Sequence, residues 1–173
     1  MTEQLINDRY RIEGRLGEGG FGIVYKAVDT TLERVVALKQ LKAELAGSPD
    51  YLARFKRESR LMGSLNHPNI IKLIDVFEDS GRFFTVIEYM PNGSLADKLQ
   101  QGKPLSLERA VEILKPIARA LDHAHAKKLI HRDIKPSNIL FTDEDEPVLS
   151  DFGLVKSLEA RDSSTTGFGF GTP

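Results

Sequence analysis

Residues 10–41 alternate in polarity and are rich in Val, Ile and Tyr, in the runs YRIEGRL, GIVYKAV and VVALKQL. A period of two sends successive side chains to opposite faces of a sheet, so these runs read as strands. Asp29 to Arg34 is the turn between the second and third. GSPDYLARFKRESRLMGSL breaks the alternation and predicts a helix, with Ser48 as cap and Pro49 at the first helical position. Two more strands are expected, roughly Ile70 to Phe77 and Phe83 to Tyr89, joined at Asp79-Ser80-Gly81. After MPNGS the period lengthens: Leu107, Val111, Leu114, Ile117, Ala118, Leu121 and Ala124 recur at spacings of three and four. Pro116 lies inside this pattern and is expected to bend the helix or loosen one turn. Strands around one helix, then a short link, then mostly helices, predict an α+β protein in two lobes. The first lobe is expected to hold an antiparallel five-stranded sheet and one helix, the second to be helical.

Composition narrows the function classes. A net charge of −1 leaves no basic footprint for nucleic acid, and no cysteine is present for a disulfide or a thiolate metal site. MTEQLINDRYRIE has neither a basic start nor an apolar run, and nothing approaches the ~18 consecutive apolar residues of a membrane span. A cytoplasmic setting is expected, with no membrane segment. The acidic run Asp143 to Glu146 reads as a solvated turn. His123 and His125 are two apart on a helix and face different ways, which argues against a metal pair.

LGEGGFGIV carries glycines at 17, 19, 20 and 22. A dinucleotide-binding fingerprint would have to open a helix, but Ile23, Val24 and Tyr25 favour a strand. The loop therefore joins two antiparallel strands and can lie over a phosphate chain, its bare backbone N–H groups close to the phosphate oxygens. Downstream, Lys39 shares a strand face with Val35 and Ala37, and Glu58 shares the helical stripe of Phe55 and Met62. A charge on an apolar face needs a counter-charge, so the two are expected to pair. An ordinary ion pair between strand and helix is the plain alternative. With the glycine loop upstream, a cation aimed at phosphates is the better reading.

LIHRDIKPSNIL, from Leu129 to Leu140, packs His131, Arg132, Asp133, Lys135 and Asn138 between apolar residues on both sides. Polar groups held rigid from both ends are how catalytic side chains are positioned. Asp151-Phe152-Gly153 follows an expected hairpin through Phe141 and Val148-Leu149. Asn138 and Asp151 are hard oxygen ligands of the kind Mg²⁺ accepts beside phosphate oxygens. Asp133 is left to receive a proton from a hydroxyl, and Lys135 to neutralise charge on a transferring phosphoryl group.

The ordered set of glycine loop, Lys39, Glu58, HRDIKPSN and DFG resembles the eukaryotic-type protein kinases, over roughly Tyr10 to Pro173. Lysine at position 135 resembles the Ser/Thr-specific branch, and phrases such as YRIEGRLGEGGFGIVYKA look most like bacterial members. The resemblance implies a two-lobed fold with an N-terminal lead over 1–9, an ATP-binding lobe over 10–90 and a partial second lobe over 91–173. It implies ATP and Mg²⁺ as cofactors and Ser/Thr hydroxyls of proteins as substrates. ATP would lie against Leu16, Gly17, Glu18, Gly19, Gly20, Phe21 and Gly22. Val24, Ala37 and Leu140 would sandwich the adenine, and the Glu88 and Met90 backbones would bind its edge. Lys39, oriented by Glu58, would hold the α- and β-phosphates. Asp133 would be the catalytic base, with Asn138 and Asp151 on the metal. His131 and Phe152 would pack in a column with Met62 and Leu73. Arg132 would receive a phosphorylated activation loop, with Ser164 and Thr166 the favoured sites within Ser163 to Thr166.

An active kinase is favoured because every catalytic position of the matched motifs is filled, where a pseudokinase would have lost Lys39, Asp133 or Asp151. The rival is a non-catalytic fragment that binds nucleotide or a partner, because GFGFGTP at the end of the chain leads, in the family, into the substrate platform and most of the helical lobe. On that ground Leu107, Val111, Leu114, Ile117 and Leu121 are expected to leave apolar surface exposed. The chain alone is expected to bind Mg-ATP weakly, to self-associate and to transfer little phosphate.

Overall fold

The structure, a computed structural model, describes residues 5–20, 22–100, 102 and 104–152. Ser163 to Thr166 lie outside the described residues, as does Phe21. Five strands form one antiparallel sheet: β1 (Tyr10–Gly19), β2 (Gly22–Asp29), β3 (Arg34–Leu41), β4 (Leu73–Asp79) and β5 (Arg82–Glu88), in the order β1-β2-β3-β5-β4. A single helical turn, α1 (Ala43–Ala46), which the periodicity does not foretell, leads into α2 (Pro49–Gly63). Ser48 caps α2 by accepting from the Tyr51 N–H, with Pro49 at the first turn as expected. The second lobe holds α3 (Leu95–Gln100), α4 (Leu107–Ala126), a 3-10 turn (Pro136–Asn138) and a small hairpin of β6 (Ile139–Phe141) and β7 (Pro147–Leu149). Among the described residues no helix is long and apolar enough to cross a membrane.

The sheet is covered on both faces. Val36 and Leu38 of β3 pack with Phe84, Val86, Tyr10 and Ile6 on one side. Leu41 and Phe83 pack with Tyr51 and Phe55 of α2 on the other. Ile6 is thus part of the sheet's core, although it precedes the first strand. Arg9 is held as firmly: its Nε and a terminal nitrogen donate to the two carboxylate oxygens of Asp29 at 2.8 and 2.7 Å. Asp29 is fully buried and also accepts from the Thr31 and Leu32 N–H groups, closing the β2–β3 turn.

The largest core joins the lobes, running from Met62 and Leu65 through Ile70 and Ile71 to α4, β6, β7 and Phe152. Backbone bonds stitch the connection: Leu149 N–H donates to Asn69 O at 2.9 Å and Ile71 N–H to Leu149 O at 3.0 Å. α4 runs unbroken through Pro116. Its inner face buries Ile113, Ile117, Ala120 and Ala124, so Ile117 is not exposed as expected, and Leu121 is packed against the core. Leu107, Val111 and Leu114 are exposed. The acidic turn differs from expectation too. Asp145 accepts from Lys98 of α3 at 2.6 Å and Arg109 of α4 at 2.5 Å, so a run that looks merely solvated fastens the β6–β7 hairpin to two helices.

Candidate active site

Gly19 pairs with Gly22 across the end of β1 and β2. A Cβ on Gly17, Gly19 or Gly20 would meet nothing within 4 Å, so the backbone there is open to an approaching group. Gly22 differs: a Cβ there would stand 2.0 Å from the Gln40 carbonyl oxygen on β3. Its missing side chain is demanded by the sheet. Arg15 and Glu18 form an ion pair along the edge of the hairpin.

Lys39 lies opposite Val24 on β2 and Thr85 on β5, on the face it shares with Ala37 and Leu41. Its Nζ stands 2.5 Å from Asp151 Oδ1. The ion pair expected with Glu58 is not made: among the described residues Lys39 pairs with Asp151 instead. Two features account for this. Asp151 takes a left-handed backbone conformation, φ 54°, which turns its carboxylate back to β3. On the other side a small cavity of about 30 Å³, lined by Phe55 and Met62 of α2, separates that helix from Lys39. An ammonium takes the carboxylate that reaches it. Glu58 itself is half-buried on α2, and not swung out to solvent.

Phe152 turns the other way from Asp151, into the core, its ring 4.7 Å from that of His131. Met62 belongs to the same core cluster as Phe152, with Leu73 packed against it. His131 is buried, and both ring nitrogens have defined roles. Nδ1 accepts the Asp133 N–H at 3.2 Å, which leaves Nε2 to donate to Ser150 O at 2.7 Å. A second proton would break the bond to Asp133, and burial pushes the imidazole below its ordinary range.

Around this histidine the loop is tight. Arg132 has φ 64°, an uncommon conformation that only a fixed surrounding sustains. Lys135 Nζ lies 2.9 Å from Asp133 Oδ2. Asn138, buried, donates from Nδ2 to the Asp133 carbonyl at 2.8 Å and to its Oδ2 at 3.3 Å. The Asn138 carbonyl accepts from both the N–H and the hydroxyl of Ser150. An unbroken path of contacts and chain therefore runs Lys39, Asp151, Ser150, Asn138, Asp133, Lys135. Ser150 had no signal in the sequence, since a lone buried serine carries neither period nor motif.

The remaining expected residues sit around this path. Val24 and Ala37 are on neighbouring strands, Ala37 facing Ile87 of β5. Glu88 ends β5, its N–H donating to Lys72 O at 3.2 Å, and Met90 packs against the main core. Leu140 is on β6 opposite Val148, and Leu16 is half-exposed on β1.

The donor set fits a hard cation. With its amide nitrogen committed to Asp133, Asn138 keeps Oδ1 as an acceptor, and Asp151 keeps a second carboxylate oxygen. Among the described residues no group of three or more His, Cys, Asp or Glu could enclose a metal. Two oxygen donors suit Mg²⁺, which takes most of its shell from phosphate and water.

Comparison with known proteins shows the family. The protein kinase domain family matches residues 10–172. Serine/threonine-protein kinase PknL of Mycobacterium bovis is 36% identical over 172 residues, covering 99% of this chain and 43% of the relative. Serine/threonine-protein kinase PknA of Mycobacterium tuberculosis is 38% identical over 172 residues, with 96% and 40% covered. The crystal structure of the Mycobacterium tuberculosis PknI kinase domain superposes with a TM-score of 0.77 at 28% identity, over 90% of this chain and 63% of that one. The chain thus spans less than half the length of these curated relatives.

Proposed function

The chain belongs to the protein kinase domain family, of the bacterial Ser/Thr type, and on that premise we propose that it serves ATP-dependent phosphoryl transfer to Ser or Thr hydroxyls of proteins. The observation that supports this most is the path from Lys39 to Asp133. It joins a cation on the sheet, two oxygen donors for a metal and a carboxylate for a proton through contacts of 2.5–3.3 Å. ATP would lie under the Gly17–Gly20 backbone, with adenine between Val24, Ala37 and Leu140 and the Glu88–Met90 backbone at its edge. Lys39 would hold the α- and β-phosphates. Asn138 and Asp151 would hold Mg²⁺, which when bound neutralises charge on the phosphate chain.

The chain's own part is largely positioning. Asn138 and Lys135 both hold Asp133 Oδ2, which fixes the carboxylate that would accept the proton of the attacking hydroxyl. His131 fixes the Asp133 backbone from beneath, and Lys135 can turn to the transferring phosphoryl group. Glu58 would orient Lys39 only in an arrangement in which α2 brings its carboxylate to the Lys39 Nζ.

Asp133→Asn is expected to lower phosphoryl transfer by about 10²–10⁴-fold with ATP binding unchanged, whereas Lys39→Ala weakens ATP binding. Titration calorimetry beside a radiolabel transfer assay separates the two. Loss of ATP binding in Asp133→Asn would refute the role given to that carboxylate. A second reading, nucleotide binding without transfer, is favoured by the exposed apolar face of α4 and by coverage of only 63% of the solved kinase domain. Wild-type chain that binds Mg-ATP yet transfers nothing would support it.

A further inference from the structure

His67 closes the turn that follows α2, and the site described above makes no use of it. Its carbonyl accepts from the Ile70 N–H at 3.1 Å, and its ring Nδ1 accepts from the Asn69 N–H at 3.1 Å. Asn69 in turn is committed on three sides. Besides the bond to His67, its carbonyl accepts from the Leu149 N–H at 2.9 Å and its Nδ2 donates to Pro147 O at 2.8 Å. Asn69 therefore grips both ends of β7, and Ser150 and Asp151 are the next two residues of the chain. Whatever fixes Asn69 fixes the run that carries Asp151 to Lys39.

A neutral imidazole has one donor nitrogen and one acceptor. Nδ1 of His67 is the acceptor, so the neutral ring carries its proton on Nε2. A second proton must go on Nδ1, where it meets the Asn69 N–H, and two donors cannot bond. The surroundings oppose that proton too. The His123 ring of α4 stands 5.4 Å away between centroids, and Arg119, one turn earlier on the same helix, acts on His67 as well. Lys127, just past α4, donates to the Ser64 carbonyl of the same connection at 2.8 Å. Burial first, then His123 and Arg119, hold the His67 ring below its ordinary 6.5.

Building on the phosphoryl-transfer reading, we propose that His67 is a positioning residue for Asp151: its neutral ring holds Asn69 against β7, and a second proton loosens that hold. The hold is full above pH 6.5, where the ring is neutral whether the turn is closed or open, and it weakens as pH falls below that value. At pH 5.5 an opened turn takes up the proton that the closed turn refuses, which favours opening by up to about tenfold. The loosening passes along the backbone to Ser150, whose N–H and hydroxyl both bond the Asn138 carbonyl, and so to Asp151.

Amide hydrogen exchange of the 173-residue chain, followed by NMR at pH 7.5 and 5.5, tests this. The readout is the protection of Leu149 and Ser150, corrected for the intrinsic pH dependence of exchange. His67→Asn keeps an acceptor in the place of Nδ1 but cannot titrate, and His67→Phe keeps a ring without an acceptor. On going to pH 5.5 the wild type is expected to lose up to about tenfold more protection than His67→Asn. His131 is the same in both, so the difference belongs to His67. His67→Phe is expected to be poorly protected at both pH values and, by titration calorimetry, to bind Mg-ATP severalfold more weakly than His67→Asn. Equal losses in wild type and His67→Asn would overturn the proposal, a comparison that holds even where His67→Phe does not fold. So would a folded His67→Phe whose Ser150 protection and Mg-ATP affinity match those of His67→Asn. Failure of all three to bind Mg-ATP would count against the phosphoryl-transfer reading, with the exchange comparison still deciding whether His67 holds β7.

Discussion

Asp29→Ala tests how the first lobe is closed. The Asp29 carboxylate is fully buried at the end of β2 and accepts four hydrogen bonds: two from Arg9 at 2.8 and 2.7 Å, and one each from the Thr31 and Leu32 N–H groups at 3.2 Å. Breaking a buried ion pair by removing one partner costs about 3–5 kcal/mol when the other charge is left dry. Arg9 is not left dry: its side chain is 28% exposed and can rehydrate. The two backbone N–H groups lose a charged acceptor in a turn that water can reach, so the lower end applies, about 3 kcal/mol. For a chain of this size that is about 6–12 °C in Tm. Asp29→Asn keeps an acceptor for one N–H and one guanidinium nitrogen, and should lose about half as much. The partners hold the folded carboxyl below its ordinary value of 3.8, with the Arg9 hydrogen bonds the largest cause. Its stabilisation is therefore present above that value and is lost as pH falls through the lower folded pKa. Urea unfolding monitored by circular dichroism at pH 7 gives the comparison. A loss below about 0.5 kcal/mol, the scale of an ordinary surface substitution, would show that the network is solvated and that the lobe does not depend on it.

Two further outcomes follow from the glycines and the histidines. Gly22→Ala places a methyl 2.0 Å from the Gln40 carbonyl and should destabilise the sheet by about 1–3 kcal/mol, whereas Gly17→Ala, with open space around its Cβ, should leave Tm unchanged. ATP affinity measured on both variants then separates the sheet's need for Gly22 from the nucleotide's need for Gly17. His131 and His67 both have folded pKa values lowered from 6.5, by burial first and, for His67, then by the neighbouring His123 and Arg119. The unfolded chain then takes up protons that the folded one refuses. Stability should be full above pH 6.5 and fall as the solution is acidified below it, by up to about 1.4 kcal/mol per pH unit for each such group. Urea midpoints at pH 7.5 and 5.5 measure this, and His131→Gln should shrink the difference. A midpoint that rises on acidification would contradict it.

Much of this protein was determined within short stretches of sequence. The alternation of β1 to β3, the Ser48–Pro49 start of α2 and the three-and-four spacing along α4 depend on hydrogen bonds and face periodicity inside about a dozen residues, and the structure has them where they were read. Lys39, Asp133, Asn138 and Asp151 were legible as candidates for the same reason, as charged or polar residues set at fixed offsets among apolar ones. Which of them touch was not. Lys39 meets Asp151, 112 residues away, and not Glu58, because an ion pair is decided by a few ångströms of strand, helix and loop placement. Asp145 looked solvated until Lys98 and Arg109 were folded onto it from two helices, and Ile6 and Arg9 preceded the first strand yet close its core. Ser150, which ties Asn138 to the Asp151 loop, has no pattern of its own. Its role exists only once β7 and the 3-10 turn are side by side, since a hydrogen bond is a relation between distant segments and leaves no period in either.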